Sequence, residues 1–476
     1  MKQKKKTIIL AIVLVLYTCP SYSNAEHKKQ KLTKHFQELI QKNQIDKVLT
    51  NCDELLKLDP QNKEMYFTIL AALFNSKHDI DQKISFAAID YCKKTLELDP
   101  RDYRGYFFWA IALTHLDKKR QAVKTYVKAL RLNRNSSASW YNAALLLRHM
   151  QMPEEALSFY QEALKLDPNK EGYHFGIAQT YLVLGDFVNG WNHMDLGRMS
   201  FLQNSKKRIT RPEEIKGKTV LIPKSWGLGD MIQFVRYAKL IKAHGGNVLM
   251  HVHHAAAKII STCKYVDKVT VERPKEDEYD GQIALWSLPG LFGSTQDSIP
   301  GKTPYLHADP TLSYYWSTRL AHDKNFKIGI CWAGSGAFKE IKDIPLKKFA
   351  PLAHIPGVTL YSLQKGRGCE QLKEVDFDIV DLSNEIDNEH GPFMDTAAIM
   401  KNVDLIITVD TSLAHLAGAL NVPVWTYIIF APDWRWMLER TDTPWYQTMK
   451  LFRGQKPYDW EYVIHTMKTE LERMLN

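Results

Sequence analysis

Two short strings in this chain carry residue types suited to chemistry. The first is Gly227-Leu228-Gly229-Asp230. Glycines let a backbone come close to a bound molecule. An aspartate at the start of a helix is favoured in its ionised form by the helix dipole. An ionised carboxylate in a cleft suits a general base that takes the proton of an acceptor hydroxyl. The same residue also suits a plain helix cap. The second string is Asp410-Thr411-Ser412-Leu413-Ala414-His415. A helix starting here offers the free backbone N–H groups of its first turn to a diphosphate. Thr411 and Ser412 add hydroxyl donors, and His415 lies one turn in, on the edge that Thr411 occupies. The alternative is Asp/Ser capping with a core histidine.

These strings need elements to position them, and the sequence supplies alternating strands and helices. Lys218–Ile222 is a β-branched run that feeds the first string, and the amphipathic stretch Met231–Lys242 follows it. Asn247–Met250 reads as a strand, Ala255–Ser261 as a helix and Lys268–Val271 as extended. A second block begins at Phe326. Lys327–Cys331 runs into Ala333-Gly334-Ser335-Gly336, Val358–Leu363 into Gln364-Lys365-Gly366, and Asp404–Val409 into the second string. Leu413–Leu420 is a short helix, and Val422-Pro423-Val424-Trp425 starts the last strand. This βαβ rhythm predicts parallel sheets with helices on both faces, and ligands in such sheets bind at the carboxyl ends of strands. The expected lobes are residues 215–312 and 325–476, joined by residues 311–325.

The first half follows a different rule. Leu96-Glu97-Leu98-Asp99-Pro100, Leu130-Arg131-Leu132-Asn133-Arg134 and Leu164-Lys165-Leu166-Asp167-Pro168 recur every 34 residues. Leu56-Lys57-Leu58-Asp59-Pro60 precedes them by 40, which places an insertion of about six residues near Ser76 to Lys83. Thirty-four is the tetratricopeptide period. Ala110, Ala122, Ala144 and Ala156 are small enough for paired helices to approach, Tyr126, Trp140 and Tyr160 fill the grooves between pairs, and Asp-Pro closes each second helix. A final unit runs through His174, Ala178, Tyr181, Gly185-Asp186 and Gly190-Trp191. Residues 30–205 are thus expected to form four to five antiparallel helix pairs in a curved solenoid, whose concave face binds a peptide or polypeptide. The alternative is a spacer or an oligomerisation platform.

Lys2, Lys4, Lys5 and Lys6 precede the apolar run Thr7–Leu16, and Ser23-Asn24-Ala25 ends in a small residue. Residues 1–25 therefore read as a signal peptide or a membrane anchor, with residues 7–18 as the membrane contact. If the signal is used, the body is exported or membrane-associated on the periplasmic side; otherwise it is cytoplasmic. The net charge of +10 is concentrated in the same region. Residues 1–35 hold eight lysines and one acid, which leaves +3 for the remaining 441 residues. The body lacks the strong electrostatic footprint of a nucleic-acid binder, and nucleic acid is not an expected partner. Six cysteines without CxxC spacing argue against zinc and against a dense disulfide framework. In an exported protein, Cys52 and Cys92, at equivalent repeat positions, are the pair suited to bridging. His251, His253 and His254 read as surface residues rather than as a metal site.

Several strings jointly resemble bacterial tetratricopeptide proteins with a glycosyltransferase-family-9-like domain, relatives of the lipopolysaccharide heptosyltransferases. They are Gly227–Tyr237, Ser362–Gly366, Asp410–Leu420, Ala431–Trp436, Pro444-Trp445-Tyr446 and Leu451-Phe452-Arg453. The resemblance spans about residues 30–476. It implies an all-α repeat solenoid followed by a GT-B fold: an acceptor-side lobe and a nucleotide-sugar-side lobe, both Rossmann-type α/β. It implies a metal-independent hexosyl or heptosyl transfer with inversion and no cofactor. Asp230 is then the base. By the same carry-over Asp410, Thr411, Ser412 and His415 are the expected donor-diphosphate contacts, and Ser335, Lys339 and Lys342 are added to them as expected donor-site residues. Gly227, Gly229, Gln233, Lys365 and Trp434 are the remaining cleft or acceptor residues. The Trp434-Arg435-Trp436 cluster suits stacking on a sugar or base, or packing that closes a lobe. Two features depart from the pattern. Trp226 stands where relatives carry Gln, and Lys342 stands near the usual position of an arginine, supplying charge without a bidentate fork. Nucleotide sugars are not expected outside the inner membrane, so an export signal favours the competing class, a repeat scaffold with a degenerate transferase domain.

Overall fold

A computed structural model describes residues 24–41, 44–75, 80–197, 207–225, 227–334 and 339–476. Residues 1–23 of the expected signal or anchor segment, residues 76–79 of the expected insertion, Trp226 and Ser335 lie outside the described residues. The chain divides into two compact units, one ending at Asn169 and the other running from Lys170 to Asn476. No described helix is long and apolar enough to cross a membrane.

The first unit is built of helix pairs: α1 (Asn24–Gln41) with α2 (Ile45–Leu58), α3 (Lys63–Asn75) with α4 (Gln82–Leu98), α5 (Tyr103–His115) with α6 (Lys119–Leu132), and α7 (Ser137–His149) with α8 (Pro153–Leu166). The repeated Leu-x-Leu-Asp/Asn motif has a direct structural meaning. α2, α4, α6 and α8 end on its second leucine, and the next residue leaves the helical region. Asp81, Asp102 and Ser136 cap the following helices by accepting from backbone N–H groups. Ala110, Ala122, Ala144 and Ala156 are fully buried, as close approach of paired helices requires. Cys52 and Cys92 are buried free thiols in one apolar cluster. The expected bridge is not formed. Their equivalent repeat positions make them partners in packing, and burial raises both thiol pKa values.

The repeat pattern continues through α9 (Glu171–Val183) and α10 (Phe187–Leu196), but this pair belongs to the second unit. Its buried Phe187, Trp191 and Met194 join the main core of the α/β part. Trp191 meets Trp434 edge-on, with ring centroids 5.2 Å apart, and also faces Phe234 and Trp445.

Two parallel sheets follow. The smaller has the order β3-β2-β1-β4, from β1 (Thr219–Ile222), β2 (Asn247–His251), β3 (Lys268–Thr270) and β4 (Gly281–Gln282). The larger has the order β10-β9-β8-β5-β6-β7, from β5 (Phe326–Cys331), β6 (Val358–Ser362), β7 (Val380–Asp381), β8 (Leu405–Val409), β9 (Val424–Ile428) and β10 (Met449–Arg453). Every residue of β8 and β9 is buried, so central strands read as unbroken apolar runs rather than alternating ones. The strand starting near Val422 is not the last, because β10 adds beyond it in parallel register, Met449 opposite Val424. The expected linker 311–325 is largely α11 (Pro310–Leu320), whose buried Trp316 donates from Nε1 to Asp395 Oδ1 at 2.9 Å. The expected helix Met231–Lys242 is three pieces: α12 (Leu228–Phe234), a 3₁₀ turn Val235–Tyr237, and a short helix Ala238–Ala243.

Candidate functional site

In the larger sheet the strand order reverses between β5 and β8, which pair from Ile328 opposite Leu405 to Cys331 opposite Thr408. Such a reversal leaves a crevice at the carboxyl ends, because the connections leave in opposite directions. Ala333 and Gly334 continue from β5, and Asp410 and Thr411 from β8, into a cleft of about 890 Å³. Helix α13 (Ser412–Ala419) starts there, with Thr411 as N-cap accepting on Oγ1 from Leu413 N–H at 3.3 Å. The opposite wall carries Gly227, Gly229 and Asp230, where β1 leads into α12. Thus Gly227, Gly229, Asp230, Lys342, Lys365, Asp410, Thr411, Ser412 and His415 share one cleft.

The two glycines have a local reason. A Cβ on Gly229 would sit 2.7 Å from the His415 ring, and one on Gly227 would sit 2.7 Å from the Asp230 carboxylate. The sequence suggests glycines that admit a ligand. The structure gives them a second duty, since α12 and α13 approach across the cleft at Gly229.

The charged groups are matched. Arg435 lies in a 3₁₀ turn (Trp434–Trp436) and is nearly buried. It donates from Nη2 to Asp230 Oδ1 at 2.6 Å, from Nη1 to Asp433 Oδ1 at 2.9 Å and from Nε to Gln233 Oε1 at 2.5 Å. Its guanidinium also lies over the Trp434 ring, 4.3 Å from the centroid. Burial pulls its pKa down, and Asp433 and Asp230 more than offset that, so it stays charged. Lys342, from the short helical turn Lys339–Lys342, holds Asp410 Oδ2 at 2.6 Å. Burial disfavours both charges of this pair, yet their attraction wins: the lysine is raised and the aspartate lowered. Arg367 pairs with Asp343 and donates to Gly334 O at 2.7 Å. Lys365 donates to Ile386 O and Asn388 Oδ1, both at 2.5 Å, and so joins two cleft loops.

The geometry defines the surroundings of four of the expected site residues. His415 is buried, its Nδ1 lies 2.9 Å from Tyr446 Oη, and its ring stacks on Trp436. Burial first, then Arg435, pushes its pKa down to about 3, so the imidazole is neutral. Trp434 does not line the cleft. It is 1% exposed and packs against Trp191, Trp286 and Trp445, because its neighbours already enclose the ring. Gln233 is fully buried behind the cleft and supports Arg435 instead. Lys342 is committed to Asp410 rather than waiting unpaired. Lys339 opens its helical turn, and Ser335 falls outside the described residues.

Sequence reasoning missed Arg435, Asp433, Asp387 and Phe393 as cleft residues. The Asp433-Trp434-Arg435-Trp436 string held the signal for the first two, but the aromatics drew attention from the charge between them. Asp387 and Phe393 both have positive φ, at 57° and 67°, a conformation that Asp tolerates and that is strained for the bulky Phe. Burial raises the Asp387 pKa. Among the described residues, no cluster of three or more His, Cys, Asp or Glu could hold a metal ion.

The tetratricopeptide repeat model matches residues 137–170, which comprise α7 and α8. Protein FlbA of Caulobacter vibrioides is 25% identical over 331 residues, covering 62% of this chain and 54% of its own length. The chain therefore spans about half the length of that relative. Among solved structures, MamA from Desulfovibrio magneticus RS-1 is 15% identical, covers 39% of this chain and 100% of its own, and has a TM-score of 0.32. A thermophilic TPR protein of Thermus thermophilus is 17% identical, covers 37% of this chain and 93% of its own, and has a TM-score of 0.30.

Proposed function

We propose that this chain, a tetratricopeptide-repeat protein, is glycosyltransferase-like, with a GT-B-type pair of lobes holding a nucleotide-activated sugar in the cleft. One observation carries this reading: the N-terminus of α13 and the ion-paired Asp230 line the same cleft. In this reading the donor diphosphate rests on the N–H groups of the first turn of α13, with the Thr411 and Ser412 hydroxyls beside it. Asp230, held by Arg435, accepts the proton of an acceptor hydroxyl. The acceptor oxygen forms a bond to the anomeric carbon while the bond from that carbon to the phosphate oxygen breaks. The electron pair leaves with the diphosphate, whose charge is met by Lys342 and the helix dipole. The sugar centre inverts, and no metal enters the scheme. His415 contributes a hydrogen bond and no charge. The repeats recruit a polypeptide acceptor on their concave face.

The test is a transfer assay against a panel of nucleotide sugars with Asp230→Asn. Loss of general-base assistance lowers turnover by about 10²–10⁴-fold, while calorimetry shows donor binding retained. Full activity of the variant would remove Asp230 from its role.

A second reading, binding without catalysis, is favoured by a specific observation. Lys342, Arg367 and Arg435 already have acidic partners, so a diphosphate competes with Asp410 for Lys342. Nucleotide binding without turnover of any sugar donor supports this reading. No binding of any nucleotide overturns both and leaves a repeat scaffold with a degenerate transferase domain.

A further inference from the structure

The helix α6 carries a feature that the cleft does not use. Residues 118–134 contain Lys118, Lys119, Arg120, Lys124, Lys128, Arg131 and Arg134, and no acid. Arg120, Lys124, Lys128 and Arg131 fall at spacings of four, four and three, so they share one helix face. All four are exposed, as is Arg134. Like charges stacked four apart destabilise an isolated helix. The repeat scaffold does not require them. One period later, at the positions of Arg120, Gln121 and Lys128, α8 carries Glu154, Glu155 and Glu162. The same fold thus accepts either sign there, and the run of cations on α6 calls for a reason outside packing.

The stripe ends at a groove of about 510 Å³, lined by α6, the start of α7 and α8. Its apolar surface comes from Val127, Leu130, Trp140, Phe159 and Leu166. Trp140 meets Phe159 edge-on at 4.9 Å, and its indole N–H is satisfied by Arg134 O at 2.9 Å. The ring is therefore left to offer apolar surface rather than a donor. Leu166 is 41% exposed beside it, and Leu132, at the end of α6, is 42% exposed. Arg131, Arg134 and Lys165 stand around the groove. Lys165 is held by the groove's single acid, Glu162, at 2.5 Å. Arg131 and Arg134 have no acidic partner among the described residues.

An apolar slot flanked by two uncompensated guanidiniums, with three further cations in line, has a definite complement. We propose that this groove docks an acidic peptide segment of a partner protein. An aliphatic or aromatic side chain of the segment enters between Trp140, Phe159 and Leu166, and its carboxylates meet Arg131, Arg134 and the stripe on α6. This surface lies on the second helices of two successive pairs. The proposal is independent of any reaction in the cleft.

The test uses the full chain and a fluorescein-labelled peptide of Asp and Glu residues with one central Leu or Phe, read by anisotropy. Binding is expected, and it weakens steeply as salt is raised. The double variant Arg131→Glu/Arg134→Glu lowers affinity at least tenfold, and Leu166→Asp lowers it too. Charge reversal of the exposed Lys93 and Lys94 on α4 leaves it unchanged. Circular dichroism on each variant separates loss of docking from loss of fold, since all the altered side chains are exposed. A peptide in which Ala replaces the central residue binds more weakly if the slot takes an anchor. Equal binding by both peptides, equal loss from the α4 reversals, or tighter binding of single-stranded RNA or anionic vesicles of equal charge overturns the proposal.

Discussion

The repeat array and the α/β unit solve the same problem of burial by opposite means. In the array, each helix packs chiefly on its neighbours in sequence, and a 34-residue period repeats the same contacts. In the α/β unit, the decisive contacts join distant residues. Arg435 meets Asp230 across 205 positions, and Lys342 meets Asp410 across 68. An array of the first kind tolerates local change as a sum of nearest-neighbour terms. A cleft of the second kind rests on a few pairs, each of which holds several elements at once.

The strongest way to break that contrast is at Arg435. Arg435→Ala leaves Asp230 and Asp433 facing each other without their cation, while Gln233 loses a buried partner. Removing one partner of a buried ion pair costs about 3–5 kcal/mol. Calorimetry should show the α/β transition falling by many degrees, with the array transition unmoved. A parallel fall in both would mean that the two units unfold as one. The next effect is steric. Gly229→Ala drives a Cβ into the His415 ring, and overpacking of this kind costs roughly 1–3 kcal/mol. Adding His415→Ala should restore part of the loss, and a double-mutant cycle reads the coupling directly.

The smallest effect sharpens the comparison through pH. Each unit holds a histidine with a pKa depressed by desolvation: His149, half-buried in the array and pushed to about 4, and His415, buried in the cleft and pushed to about 3. Below 6.5 the unfolded chain takes up the proton that the folded chain refuses. Stability from each group is therefore complete above pH 6.5 and is lost as pH falls toward the folded value. By pH 6 each costs about 1 kcal/mol by that linkage. His149→Gln should flatten the acid limb of the array transition alone, and His415→Gln that of the α/β transition alone, in melts from pH 8 to 5. Identical slopes in variant and parent would remove these histidines from the acid response.

The same contrast explains what the sequence makes legible. Helix pairs, their ends and their buried alanines follow from periodicity, because array contacts are local. The long strands other than β10, and the helix at Ser412, are readable from apolar runs and turn residues. β4 and β7 are not, since two residues carry no pattern. Gly227, Asp230, Asp410 and Thr411 can be placed at strand ends, because such positions are set within one βα unit. That Lys342 is spoken for, that Gln233 sits behind the cleft and that Arg435 rather than Trp434 faces it depend on residues far along the chain. No local window contains those facts. Cys52 and Cys92 show the converse error, where a shared repeat position suggests a covalent bond and signifies only shared packing.

The docking of α9 and α10 into the α/β core has a consequence for how such chains can be assembled. Trp191 is at once a repeat residue and part of the wall beside Trp434 and Trp445. The cleft-bearing unit thus carries its own adaptor, a repeat by its sequence pattern and core by its packing. Repeats can be gained or lost upstream of Asn169 as whole modules, as carriages are added ahead of a fixed coupling, while the cleft behind it keeps its shape.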